Sequence, residues 1–151
     1  MSAGGTCASI RLTISERKKM LDDRIAEQVR AVALTSESRR RIGCVLLRRG
    51  RVAISSTNVE GKTHPTQARL ATMAGEPYRT SLHAEIRALL KEGASKCDTL
   101  VVGRVNKKGE FCMSKPCPVC QLAISQSNIR TVIYSTQDGG WSKLPTGDEV
   151  D

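Results

Sequence analysis

Ser81-Leu82-His83-Ala84-Glu85-Ile86 and, further along, Pro116-Cys117-Pro118-Val119-Cys120 form the pattern around which this chain is organised. One imidazole and two thiolates suit a tetrahedral zinc ion, and three protein ligands (His83, Cys117 and Cys120) leave a fourth position open for water. Glu85, two residues from His83 at a predicted helix start, is badly spaced for a further ligand and well placed to handle protons beside that water. Each half alone has plainer readings. A lone Cys-x-x-Cys serves as a structural zinc knuckle, a redox pair or two core cysteines, and the prolines flanking Cys117 disfavour the redox pair. The other cysteines, Cys7, Cys44, Cys97 and Cys112, show no second paired spacing, so a closed four-ligand site stays open as an alternative without gaining support. A single histidine is more often an ordinary one than a ligand. The conjunction of both halves is specific.

The 151 residues suffice for one domain with its own core, and with one Trp, two Tyr and one Phe that core must be aliphatic. No apolar run approaches the roughly 18 residues of a membrane helix. Met1-Ser2-Ala3-Gly4-Gly5 begins neither a basic n-region nor the apolar stretch of a secretory signal. Six cysteines with a metal-type pair and no export signal predict free thiols in a reducing compartment, cytoplasmic by default. The formal charge is +9, and leaving out the acidic tail of Asp148, Glu149 and Asp151 gives +12 for the rest. That sign favours anionic partners, a phosphate-bearing nucleotide or a polynucleotide, although a solvated basic face needs no ligand.

Residues 1–12 are small and polar and read as a flexible N-terminus, residues 13–141 as the folded domain, and residues 142–151 as a polar, acidic tail. Thr13-x-x-Glu16 has the capping-box pattern. Leu21, Ile25, Val29 and Val32 recur at helical spacing, predicting an amphipathic helix over 16–34. Ile42 to Asn58 reads as a β-hairpin whose two aliphatic runs flank Arg49-Gly50. Arg39, Arg40, Arg41, Arg48, Arg49 and Arg51 crowd its ends, as a solvated rim or as a phosphate-tracking edge.

Residues 59–81 form a connection of the length usually kept for functional loops, with a short helix over 67–73. It leads to His83 and is expected to wall a pocket. His64, next to Pro65, is a candidate substrate contact there, set against an ordinary surface histidine. A helix over 82–92, ended by Gly93, puts His83 and Glu85 in its first turn. The near-continuous apolar run of 98–105 predicts a central strand covered on both faces. A helix over 117–126 follows, with N-terminal amides that favour thiolates, then a strand over 129–134 and a glycine-rich loop over 136–141. No repeat and no second domain is evident.

His-Ala-Glu followed by Pro-Cys-x-x-Cys matches the signature of zinc nucleobase deaminases, and over residues 16–141 the chain resembles the cytidine and deoxycytidylate deaminase superfamily. The resemblance implies a layered α/β fold, with a central mixed sheet of about five strands flanked by helices and the first pair of strands antiparallel. It also implies a final helix. For that helix and for a fifth strand the sequence offers no obvious candidate. By resemblance His83, Cys117 and Cys120 are the zinc ligands and Glu85 the proton shuttle. Asn58 stands where many members hold the sugar hydroxyl, and Ala84 where a backbone amide meets the base. A histidine as first ligand looks more like the deoxycytidylate, tRNA-adenosine and APOBEC-type branches than the small tetrameric nucleoside deaminases.

The reaction so implied is hydrolysis of cytosine to uracil with release of ammonia. The same apparatus attacks C6 of adenine, but the stretch before the cysteines is unlike the adenosine branch. The basic body, the arginine-rich hairpin and the Gln137–Trp141 loop favour cytosine in a single-stranded polynucleotide, DNA over RNA, with Trp141 as a stacking platform. The shortage of aromatics counts against that choice. The alternatives are a free cytidine nucleotide or nucleoside such as dCMP, a tRNA-type adenosine, and a non-catalytic zinc-stabilised binding protein, the last disfavoured by an intact Glu85. A homo-oligomer remains open.

Overall fold

Two short aliphatic runs and a tight turn build the first unit of the fold. In the computed structural model, which describes residues 21–79 and 81–145, they form β1 (Arg41–Arg48) and β2 (Arg51–Thr57), paired antiparallel. Arg49 and Gly50 take φ of 53° and 78°, the two positive values that match the twist of a two-residue hairpin. The sheet continues through β3 (Thr99–Val105), β4 (Phe111–Cys112), β5 (Thr131–Ser135) and β6 (Trp141–Lys143). Its order is β2-β1-β3-β5-β6, with β4 paired to β3, making an open six-stranded sheet. Among the described strands only β3 and β5 are parallel; the other pairings are antiparallel.

Strand alternation sorts the core into two layers. Val45, Leu47, Val101, Val105 and Ile133 face one side, where α1 (Asp23–Leu34) lays Val29 and Ala33 on them. Cys44, Leu46, Leu100, Val102 and Val132 face the other side, against Ala84, Ala88 and Ile124. Those last three belong to α3 (Ala84–Leu89) and α4 (Pro118–Ser125), which pack with α2 (Pro65–Met73) through Leu70, Ile86, Val119 and Ala123. Cover on both faces explains the near-continuous apolar run of β3. Among the described residues no helix is long and apolar enough to cross a membrane.

Helix α1 sits unusually close to the sheet. A Cβ added to Gly43 would lie 2.6 Å from the Ala33 nitrogen and 2.7 Å from the Val29 oxygen. Gly43 pairs with Gly103 across β1 and β3, and a Cβ there would meet Val29 and Phe111 at 2.8 Å. The two glycines form the seat for α1, and the atoms a methyl would strike at Gly43 are backbone. Gly43→Ala is therefore expected to cost about 3 kcal/mol, the upper end of ordinary overpacking, read as a lower urea midpoint at unchanged slope.

Several boundaries differ from the sequence reading. Helix α1 is capped by Asp22, whose side chain accepts from the Arg24 amide at 2.7 Å, so it begins at Asp23 rather than at 16; residues 1–20, including the capping-box pattern, lie outside the described residues. Helix α3 is shorter than the expected 82–92, because Leu82 is held extended in a bridge to Val59 and Leu90 already closes the far end. The loop expected over 136–141 is a hairpin turn. Asp138 accepts from the Gly140 amide at 3.1 Å, Gly139 takes φ 86°, and Trp141 starts β6. That strand supplies the missing sheet member and carries the structure beyond residue 141; Leu144 donates a further backbone bond to Val132 at 2.9 Å. Residues 146–151, where a final helix would begin, lie outside the described residues.

Candidate active site

The two motif halves occupy the same position on two different helices. His83 is the N-cap of α3 and Cys117 the N-cap of α4, both with extended backbone (φ −78°, ψ 152° and φ −72°, ψ 167°) and neither with its side chain capping the helix. Both side chains turn instead toward each other. Pro118 at the first helical position presets the φ of α4. Upstream, Ser114 anchors the approach to Cys117: its hydroxyl bonds the Val102 carbonyl at 2.9 Å and the Ser135 hydroxyl at 2.8 Å, tying the segment to β3 and β5.

His83 Nδ1 lies 3.1 Å from Cys120 Sγ and 3.5 Å from Cys117 Sγ, and the three donor atoms all lie within 4.8 Å of one another. Tetrahedral zinc, with Zn–N near 2.0 Å and Zn–S near 2.3 Å, sets neighbouring ligand atoms about 3.5–3.8 Å apart. One nitrogen and two sulfurs at this spacing fit zinc. Without a metal, the electrostatics between the protein groups divide the two thiols. Cys117, hydrogen-bonded by Cys120 and His83, is held down to about 3 and is a ready thiolate. Cys120, bonded to that thiolate and buried, is pushed well up.

Glu85, the second residue of α3, is 5% exposed. Burial pushes its carboxyl up, against the pull of His83 in the other direction. A dry carboxyl whose pKa has moved toward neutrality is suited to accept and return a proton. Ala84 between them is fully buried, and its carbonyl accepts from the Ser56 hydroxyl at 2.7 Å. As the first helical residue it carries an amide with no intrahelical acceptor.

Asn58 follows β2 directly. It lines a cleft of about 330 Å³ together with His83, Arg40, Tyr78 and Arg79. Its Oδ1 accepts from Ser36 at 2.9 Å and from the Ile42 amide at 3.3 Å, while Nδ2 donates to the Arg40 carbonyl at 2.7 Å. Arg79 pairs with Glu76 at 2.8 Å, and its guanidinium carbon stands 5.8 Å from the centre of the Tyr78 ring. Of these cleft residues, Arg40 was visible in the sequence only as one of six hairpin arginines. The available signal for Tyr78 and Arg79 was their place just upstream of His83.

Two sequence candidates are not brought to the cluster. His64 caps α2, its Nδ1 accepting from the Thr66 amide at 3.1 Å, and it does not line the cleft. Trp141 on β6 pairs with Ser135 on β5, and its ring meets Phe111 edge-on at 4.8 Å in the core layer under α1, opposite the metal ligands. The arginines also separate. Arg40 is at the cleft end of the hairpin, whereas Arg48, Arg49 and Arg51 sit at its turn, about 26 Å away along β1 at ~3.3 Å per residue.

A His-x-Glu and a Cys-x-x-Cys leading two helices on one face of a mixed open sheet is the arrangement of a zinc-binding deaminase domain. The chain belongs to the cytidine and deoxycytidylate deaminase family, whose zinc-binding region matches residues 17–136. It is similar to a curated deoxycytidylate deaminase of Schizosaccharomyces pombe (strain 972 / ATCC 24843), at 34% identity over 107 residues, which cover 65% of this chain and 31% of that protein. The chain thus spans about a third of the length of the curated relative it matches.

Proposed function

We propose that this chain deaminates cytosine in a free nucleotide of the deoxycytidylate type, giving the uracil nucleotide and ammonia. The observation that carries this reading is the buried Glu85 beside the three-donor cluster, next to a cleft walled by Asn58, Arg40 and Arg79. Zinc, when bound by His83, Cys117 and Cys120, supplies the Lewis acidity that brings the pKa of water toward 7. Glu85 takes the proton from the attacking water and passes it to N3 of cytosine, making C4 electrophilic. As the water oxygen becomes the C4 carbonyl, Glu85 delivers a second proton to the amino nitrogen, which departs as ammonia. The Ala84 amide orients the base, and Asn58, held by three hydrogen bonds, keeps one Nδ2 proton for a sugar hydroxyl. Arg40 and Arg79 offer charge for one 5′-phosphate.

Three observations support a nucleotide over a polynucleotide. The relative is a deoxycytidylate deaminase; Trp141 is packed in the opposite core layer; and the hairpin-turn arginines stand at the far end of the sheet from the cleft. One observation favours cytosine in a single strand instead: Tyr78, 72% exposed at the cleft, offers a face on which a base could stack. Free Cys44, Cys97 and Cys112, in addition to Cys117 and Cys120, suit a reducing, cytoplasmic setting.

Parallel assays on dCMP, deoxycytidine and a cytosine-bearing single-stranded oligonucleotide decide between the readings. Turnover is expected on dCMP, with a shallow salt dependence from a single phosphate. Turnover confined to the oligonucleotide, with affinity falling by about 0.7 log units per log unit of salt for each contact, would reverse the assignment.

A further inference from the structure

Gln67, the third residue of α2, has no solvent exposure. A primary amide is costly to bury unless both its ends are bonded, and here both are. Its Oε1 accepts from the backbone N–H of His83 at 3.3 Å, and its Nε2 donates to the backbone carbonyl of Arg79 at 2.9 Å. A backbone N–H only donates and a carbonyl only accepts, so a single orientation of the amide satisfies both. The carbonyl of residue 79 and the N–H of residue 83 are the pair that would bond directly in an α-helix. The Gln67 amide stands between them and takes both partners, and Leu82 and His83 are extended just before α3 begins.

That interposition matters because of what His83 is asked to do. As N-cap of α3 it has extended backbone, and its imidazole is turned to the cysteines instead of closing the helix end. Its own N–H lies outside the helix ladder and needs an external acceptor. The preceding residue is pinned from the other side, Leu82 giving its N–H to Lys62 at 2.9 Å and accepting from Val59 at 3.0 Å. The acceptor for His83 rides on α2, which packs firmly on the metal-site helices through Leu70, Ile86, Val119 and Cys120.

We infer that Gln67 is a positioning residue of the metal centre: its amide fixes the backbone of His83 so that Nδ1 meets Cys117 and Cys120, and ties the Arg79 arm of the cleft to the same anchor. Outer groups that orient a metal-binding histidine usually do so through its second ring nitrogen, and their loss costs about 10–100-fold in metal affinity. Here the orientation is imposed through the main chain. The inference rests on the zinc ligand set alone, and its readout needs no substrate, so failure of the nucleotide reading leaves it standing.

The test is zinc affinity measured by chelator competition, starting from the zinc-loaded full chain. Gln67→Met, nearly isosteric but without either hydrogen bond, and Gln67→Asn, which keeps the amide but shortens its reach by a methylene, are both expected to bind zinc about 10–100-fold more weakly. Val29→Ala, in the core layer on the opposite face of the sheet, serves as a control that lowers the melting temperature and leaves zinc affinity unchanged. Wild-type zinc affinity in either Gln67 variant overturns the inference. So does a loss in Val29→Ala as large as theirs, which would make Gln67 a stability residue only. If Gln67→Met does not fold, the milder Gln67→Asn decides.

Discussion

Glu85→Ala is expected to keep the fold and the zinc while losing deamination by about 10²–10⁴-fold, the usual worth of a positioned acid–base group. Three features of the site set that expectation. The donor atoms of His83, Cys117 and Cys120 form a complete group without Glu85. The carboxyl is 5% exposed, and its burial holds the proton more tightly than an ordinary glutamate does. The proposed reaction asks one group to take a proton and return it, which a carboxyl shifted toward neutrality performs and a methyl cannot. Ammonia release from dCMP gives the rate, and metal analysis of the same preparation gives the zinc content. Loss of zinc along with activity would reassign Glu85 to the ligand set.

Cys117→Ala should have the larger effect on the molecule itself. Cys117 is one of the three donors and the N-cap of α4, so its removal takes away a ligand and the sulfur at that helix start. Zinc content should fall from one per chain toward none. Because metal binding free energy is also folding free energy, stability should fall with it. At free zinc of 100 to 1,000 times its dissociation constant, the wild type gains about 2.7–4.1 kcal/mol, which the variant forfeits. For a chain of this size that is a drop of roughly 10 °C in melting temperature. A chelator should lower the wild-type melting temperature and leave the variant unmoved. Full zinc occupancy in Cys117→Ala would remove Cys117 from the ligand set.

Sequence spacing by itself determined the β1–β2 hairpin and its turn, the central place of β3, the existence of the four α-helices among the described residues and the pairing of His83-x-Glu85 with Cys117-x-x-Cys120. These are local matters: a period of two or 3.6, a glycine where φ is positive, a ligand pair one helical turn apart. Tertiary structure alone decided the rest. Trp141 in isolation is equally a stacking platform or a core residue. It packs on Phe111 because the register of β5 and β6 sends it to the α1 face. His64 became a helix cap because Pro65 starts a helix beside it. Three residues starting at Trp141 are too few for alternation to announce a strand, and β6 exists because β5 offers it an open edge. Gln67 gave no signal at all. Its partners, Arg79 and His83, are brought to it only when α2 docks on α3 and α4, and a buried amide's importance depends on which backbone groups the fold leaves waiting for it.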